Sequence, residues 1–84
     1  MGNFVCDKCA AITAGETTVG ALIKEGDILH REGIRADEGK LIQALAKYNE
    51  AWKILKDNNG HTDCIKNIDG EYKNLYRIIQ GSRA

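Results

Sequence analysis

The sequence contains no proline, and it has one tryptophan, one phenylalanine and one methionine. Without proline, no helix is forced to break at a residue that lacks its N–H donor, so the punctuation between elements falls to glycine and asparagine. Neither sign of charge is in excess, because twelve Lys and Arg balance twelve Asp and Glu. A chain with no net field has no long-range means of drawing nucleic acid or an anionic membrane to itself, and neither is expected as a partner. Long apolar runs are missing too. None approaches the roughly 20 residues of a membrane span, and the first residues lack the charged and apolar regions of a secretory signal, so the expected location is cytoplasmic. Cysteine is scarce and odd in number, three in all, which argues against a disulfide framework and for reduced thiols or thiolate ligands.

What is present suffices for a folded domain. Apolar residues make up 43% of the 84 and charged residues 29%, the balance of an ordinary globular chain. A chain of this size forms one domain with a thin core, and such domains often gain stability from a metal, disulfides or a partner subunit. Apolar periodicity predicts an all-α fold. Helix 1 is expected over 17–33: Thr17 or Thr18 can cap it, and Val19, Leu22, Ile23, Gly26, Leu29 and His30 share one face, with Asp27 and Arg31 spaced for an ion pair. Helix 2 is expected over 37–57, opened by Asp37 and Glu38 and closed by Lys53 and Lys56, charges that suit the two ends of the helix dipole. Its seam is Leu41, Leu45, Tyr48, Trp52 and Leu55, widened by Ala44, Ala51 and Ile54. Asn58, Asn59 and Gly60 tolerate the left-handed backbone on which helices commonly stop.

Helix 3 is expected over 62–80, capped by Thr62 or Asp63, lined by Ile65, Ile68, Tyr72, Leu75 and Ile79, and ended by Gly81. Gly70 inside it marks either a weak point or a close backbone approach. Residues 1–15 read as an arm or a short helix, with Phe4, Val5, Cys9 and Ile12 on its inner side. Short connections make helices 1 and 2 an antiparallel hairpin and fold helix 3 back onto helix 2, giving a small three-helix domain, or four-helix if the arm is helical. Trp52 is expected in the shared core.

Gly26 and Gly33, followed by Ala44, Tyr48 and Ala51 at spacings of four and three, resemble a tetratricopeptide repeat, covering Val19 to Leu55. The stretch from Leu22 to Asp27, with Arg31, Glu32 and Gly33 beyond it, is similar to the opening repeat of immunophilin-type co-chaperones. The resemblance implies paired helices drawn together by small residues, an aromatic ring in the gap and a role in binding protein. About six residues more than an ordinary repeat separate Gly33 from Ala44, which calls for a longer turn or an earlier start to helix 2. Where the carboxylate-gripping co-chaperones have asparagine and lysine, this chain has Asp27 and Ile23, and an aspartate there repels an anion. One repeat makes a hairpin and not an array.

The sharpest chemical pattern uses every cysteine. Cys6 and Cys9 are separated by two residues, and so are His61 and Cys64. Thiolates and imidazole in a Cys3His set form structural zinc sites, and ligands two residues apart let one short turn present both to one ion. The first pair precedes helix 1 and the second follows helix 2, places that meet at one end of an antiparallel hairpin. The competing reading is packing, since free cysteine behaves as a small buried hydrophobe and Cys64 adjoins the helix 3 seam. A Cys6–Cys9 disulfide or redox pair is a third reading, although the thioredoxin-type strand and helix around it are missing. Iron and sulfur are a further occupant of the same four residues. Haem attachment is excluded because Ala10 follows Cys9 where that motif needs histidine.

Met1-Gly2-Asn3 resembles a myristoylation start, but Cys6 stands where serine or threonine belongs. His30, on the apolar side of helix 1, reads as a packed or interhelically hydrogen-bonded residue before it reads as a base. Tyr72 and Tyr76 with Lys73 and Arg77 read as a core edge beside a solvated edge. No nucleophile with a base, no carboxylate pair and no phosphate-cradling glycine loop appears, so no catalytic residue is expected. The expected function is a non-catalytic protein–protein interaction module, an adaptor or a small regulatory or inhibitory subunit, with a homo-oligomer among the assemblies open to it; the alternative is a small metal-binding protein with zinc on Cys6, Cys9, His61 and Cys64.

Overall fold

The structure, a computed structural model, describes residues 5–83. Gly2, with the lipidation reading it carries, and Phe4 lie outside the described residues. In chain order the elements are α1 (Asp7–Ala10), β1 (Thr13–Ala14), β2 (Thr17–Thr18), α2 (Val19–Ala36), α3 (Glu38–Asp57) and α4 (Thr62–Arg83). The fold is all-α: α2 and α3 pack as an antiparallel hairpin and α4 lies against α3. No helix among the described residues is long and apolar enough to cross a membrane.

Periodicity gave no sign of the small antiparallel ribbon in the arm, where Thr13 faces Thr18 and Ala14 faces Thr17. Strands of two residues are too short to show alternation. The connection is Gly15-Glu16 with Gly15 at φ 64°, the glycine-first tight turn whose twist suits a hairpin. The Val19 N–H donates to the Ile12 carbonyl at 2.9 Å and extends the ribbon to the foot of α2. Thr18 is the cap of α2, its Oγ1 accepting the Ala21 N–H at 3.0 Å.

Helix α2 does not stop near Gly33. It runs on to Ala36, so Asp37 alone joins it to α3. Asp37 serves both helices, donating its N–H to the Gly33 carbonyl at 3.1 Å and accepting the Gly39 N–H on Oδ1 at 3.0 Å. Gly33 is a glycine because α3 crosses it: a Cβ there would lie 2.6 Å from Leu41 Cδ2 and 2.9 Å from the Leu41 nitrogen. Two turns earlier, a Cβ on Gly26 would meet the Tyr48 ring at 2.8 Å. These two bare positions set the spacing of the hairpin. Ion pairs Glu25–Lys47 and Glu32–Lys40 bridge its rim, and Asp27–Arg31 forms along α2 as its spacing predicted. All three are exposed and each adds at most about 1 kcal/mol.

The buried seam of α3 is Leu41, Ala44, Tyr48, Ala51, Ile54 and Leu55. The alanines expected only to widen it lie at its centre, and Leu45 and Trp52 pack at its edge. Trp52 is half-buried, with the Lys56 ammonium 4.7 Å from its ring centroid. Across from it, α4 buries Cys64, Ile68, Leu75 and Ile79, while Ile65 and Tyr72 flank the core. Tyr76 is exposed, and Lys73 pairs with Asp69 in solvent. Thr62 and Asp63 lie inside the first turn of α4 and do not precede it, and Gly81 lies within the helix, which runs to Arg83. His30 is half-buried on α2. Its Nε2 has no hydrogen-bond partner among the described residues, so the interhelical bond is not made.

Two glycines should respond to alanine in opposite senses. Nothing lies within 4 Å of a Cβ built on Gly70, so no backbone approaches there, and Gly70→Ala is expected to stabilise by about 1 kcal/mol on propensity alone. Gly26→Ala drives a methyl into the Tyr48 ring and is expected to cost about 1–3 kcal/mol. Thermal unfolding of the two variants should move Tm by about 4–8 °C per kcal/mol, up for the first and down for the second.

Candidate metal centre

The hairpin returns the end of α3 to the level of the arm, and the turn after α3 aims the chain at it. Asn58 donates its N–H to the Ile54 and Leu55 carbonyls, and its Nδ2 donates to the Ile54 carbonyl at 2.8 Å. Asn59 takes the left-handed conformation at φ 57°. The Gly60 N–H then reaches back to the Leu55 carbonyl at 2.7 Å, the six-to-one bond that terminates a helix and reverses its direction. His61 follows immediately, and its carbonyl accepts the Ile65 N–H at 3.0 Å as α4 begins. One turn later Cys64 points back on the same side.

The arm supplies the other half. Cys6 has extended backbone at the start of α1, with φ −72° and ψ 167°, and its carbonyl accepts the Ala10 N–H at 2.9 Å. Cys9 lies in that single turn with 1% of its surface exposed. All four residues singled out by spacing are therefore brought together. Their ligand atoms, three Sγ and one imidazole nitrogen, lie within 4.8 Å of one another.

Two separations are shorter. Cys6 Sγ is 3.7 Å from Cys64 Sγ and 3.2 Å from His61 Nδ1. A zinc ion with bonds of about 2.3 Å to sulfur and about 2.0 Å to nitrogen gives tetrahedral edges of about 3.8 Å between sulfurs and about 3.5 Å between sulfur and nitrogen. The shorter distances match those edges to a few tenths of an ångström, and the widest must close by about 1 Å. Nδ1 is the nitrogen turned inward.

Backbone amides lock the two halves reciprocally. The Cys6 N–H donates to Cys64 Sγ at 3.3 Å, and the His61 N–H donates to Cys9 Sγ at 3.4 Å. Spacing could not reveal these donors, because any residue but proline supplies an amide. They would matter electrostatically to a bound metal: three thiolates and a neutral imidazole around a divalent ion would leave one negative charge, which N–H dipoles offset.

The two cysteines in contact are pushed in opposite directions. The Cys9 backbone N–H, with help from Cys64, Cys9 and His61 side chains, brings the exposed Cys6 thiol down to about 6 against the cost of desolvation. Burial pushes the Cys64 thiol up to about 11, with the Cys6 N–H working against it. In the metal-free state the pair thus shares a proton, held on Cys64 and donated toward the Cys6 thiolate. A divalent cation held by these residues would replace that proton and favour both sulfurs as thiolates.

No protein-family model matches the chain, and neither a curated protein nor a solved structure matches it. Function rests on the geometry alone.

The arrangement serves packing and could also hold a metal ion, since Cys9 and Cys64 belong to the hydrophobic cluster as well. Exposure separates the ligands: Cys6 and His61 face solvent while Cys9 and Cys64 do not. Alkylation of the metal-free folded protein is expected to modify Cys6 first, and Cys9 and Cys64 only as the protein unfolds. Equal rates at all three cysteines, read by mass spectrometry of the peptides, would contradict the placement of the arm.

Proposed function

We propose that the chain is a small zinc-binding domain in which Cys6, Cys9, His61 and Cys64 hold one structural zinc ion, and that the domain so fastened is a non-catalytic protein interaction module. The observation that carries the first half is the convergence of four ligand atoms within 4.8 Å from two segments more than fifty positions apart. A set filled by four protein ligands leaves no open position for water or substrate, which suits a structural role. Three thiolates with one imidazole favour zinc among hard and soft divalent ions, and a Cys3His set is less suited to iron and sulfur, whose clusters are usually held by four thiolates.

Metal analysis of protein purified without added metal is expected to return one zinc per chain. Free zinc at about 100 times its Kd stabilises a fold by about 2.7 kcal/mol, so a chelator should lower Tm by about 10–20 °C in a domain this small. Cys6→Ser and Cys64→Ser should each remove most of the bound zinc and the chelator effect together. Protein that holds no zinc and melts at the same temperature with chelator would sink this half.

The second half rests on the hairpin. The Tyr48 ring seated against Gly26 is the small-residue and aromatic pairing that the likeness to a tetratricopeptide repeat implies, and the residues in excess of a repeat fall in the added turn of α2 and the start of α3. The outer side of α2 presents Ile28 and Ile34, and Ile28 borders a cleft of about 310 Å³ with Arg31, Glu32 and Arg35. Capture from extracts of the organism that makes the protein is expected to return a specific protein, with binding reduced at least tenfold by Ile28→Asp combined with Ile34→Asp. A partner that ignores both substitutions, or no partner, rejects α2 as the binding face.

A further inference from the structure

The metal centre has one exposed sulfur in contact with one buried sulfur, and these belong to different segments. We propose that hydroperoxide oxidation of this centre joins Cys6 to Cys64 in a disulfide, ejects the zinc and leaves Cys9 as a thiol, so that a covalent link takes over the metal's task of tying the arm to α4. The release of zinc rests on the zinc reading above; the choice of cysteines rests on the geometry alone.

Access selects the first step. Among the three sulfurs only that of Cys6 belongs to an exposed residue, whereas Cys9 is 1% and Cys64 6% exposed. An oxidant arriving from solvent therefore meets Cys6. Its thiolate attacks one oxygen of hydrogen peroxide, an S–O bond forms, the O–O bond breaks and hydroxide leaves, giving a sulfenic acid.

Proximity selects the second. Cys64 Sγ, 3.7 Å away, is already at van der Waals contact with the oxidised sulfur. It attacks the Cys6 sulfur as a thiolate, an S–S bond forms, the S–O bond breaks and a second hydroxide leaves; in the metal-free protein the Cys64 proton passes to that hydroxide and water leaves instead. The two sulfurs have lost two electrons in total, and one peroxide has taken them up. Cys9 is held differently: its sulfur accepts the His61 N–H at 3.4 Å and packs in the hydrophobic cluster. With two of its three sulfurs consumed, the ion retains only Cys9 and His61, and it dissociates.

The substitution of link for link has a physical consequence. Zinc and the disulfide connect the same two places, positions 58 apart in sequence, so the oxidised chain keeps its fold when the metal has gone. The centre then passes between a metal-bound reduced state and a metal-free oxidised state without releasing the arm. A Cys6–Cys9 bond would close only a short loop inside the arm and would leave it untied from α4.

The test treats zinc-loaded and metal-free full-length protein in parallel with hydrogen peroxide and a zinc-responsive dye. Peptide mapping without reduction is expected to show Cys6 joined to Cys64 in both samples, a loss of two hydrogen masses per chain and one alkylatable thiol at Cys9. The loaded sample should release one zinc per disulfide, and a dithiol reductant should restore binding. Cys9→Ser should still form the Cys6–Cys64 bond. If that variant fails to fold, mapping of the wild-type protein decides the matter by itself. A Cys6–Cys9 bond as the main product, over-oxidation of Cys6 with no disulfide, or a disulfide formed with zinc still bound overturns the proposal. Absence of zinc before any oxidant is added counts against the zinc reading alone, and the mapping of the metal-free sample still decides which cysteines join.

Discussion

The structure depends on one close approach, that of α2 to α3. Two bare positions on α2, Gly26 and Gly33, receive the Tyr48 ring and the Leu41 side chain, and a connection of one residue leaves the helices no freedom to separate at that end. Everything else inherits its place from this contact. The near end of the hairpin is held by Asp37, which satisfies a donor or acceptor in each helix. The far end brings the arm and the turn after α3 side by side, because the helices on either side have 18 and 20 residues and so finish nearly level.

Energetically the domain divides into a central portion built from long helices and a far end built from short elements. The fully buried side chains of α3 include Tyr48 and Leu55, with Ala44 one turn before Tyr48 and Ala51 between the two, both with no exposed surface, an arrangement that exchanges side-chain volume for close backbone contact. At the far end the arm contributes one helical turn and a ribbon of two-residue strands. A helix of four residues and a ribbon of that length are not stable in isolation. Cys9, Val5 and Ile12 pack the arm onto the core, and the two N–H···S bonds add direction without adding much energy. A metal ion held at this point would fasten the short arm to the start of α4.

Most of the fold was legible because the long helices keep their period for several turns. The errors came where one residue type serves two ends. Glycine at 33 and 81 reads as a stop, yet Gly33 is inside α2 to admit Leu41 and Gly81 is inside α4 with open space around it. Leu45 and Trp52 read as core because they are large, whereas burial follows the helix facing α2 and selects Ala44 and Ala51. The convergence of the four residues was legible for a different reason: two pairs with the same spacing, one before the hairpin and one after it, are brought to the same end by topology alone. The Asn58-Asn59-Gly60 run announced the left-handed turn that Asn59 takes; what no pattern of side chains could show is the amide donors of Cys6 and His61, which belong to the backbone.

The distance along the chain between the two halves of the centre governs the order of events at the ribosome. Cys6 and Cys9 emerge early, and Cys64 lies 58 positions beyond Cys6, so at about 5–20 residues per second the first pair waits roughly 3–12 s for the second. During most of that interval α2 and α3 are still being made, because α3 ends at Asp57 and both His61 and Cys64 follow within seven residues. The finished hairpin and the second pair of candidate ligands therefore become available almost together, and the two sulfurs of the arm wait for both.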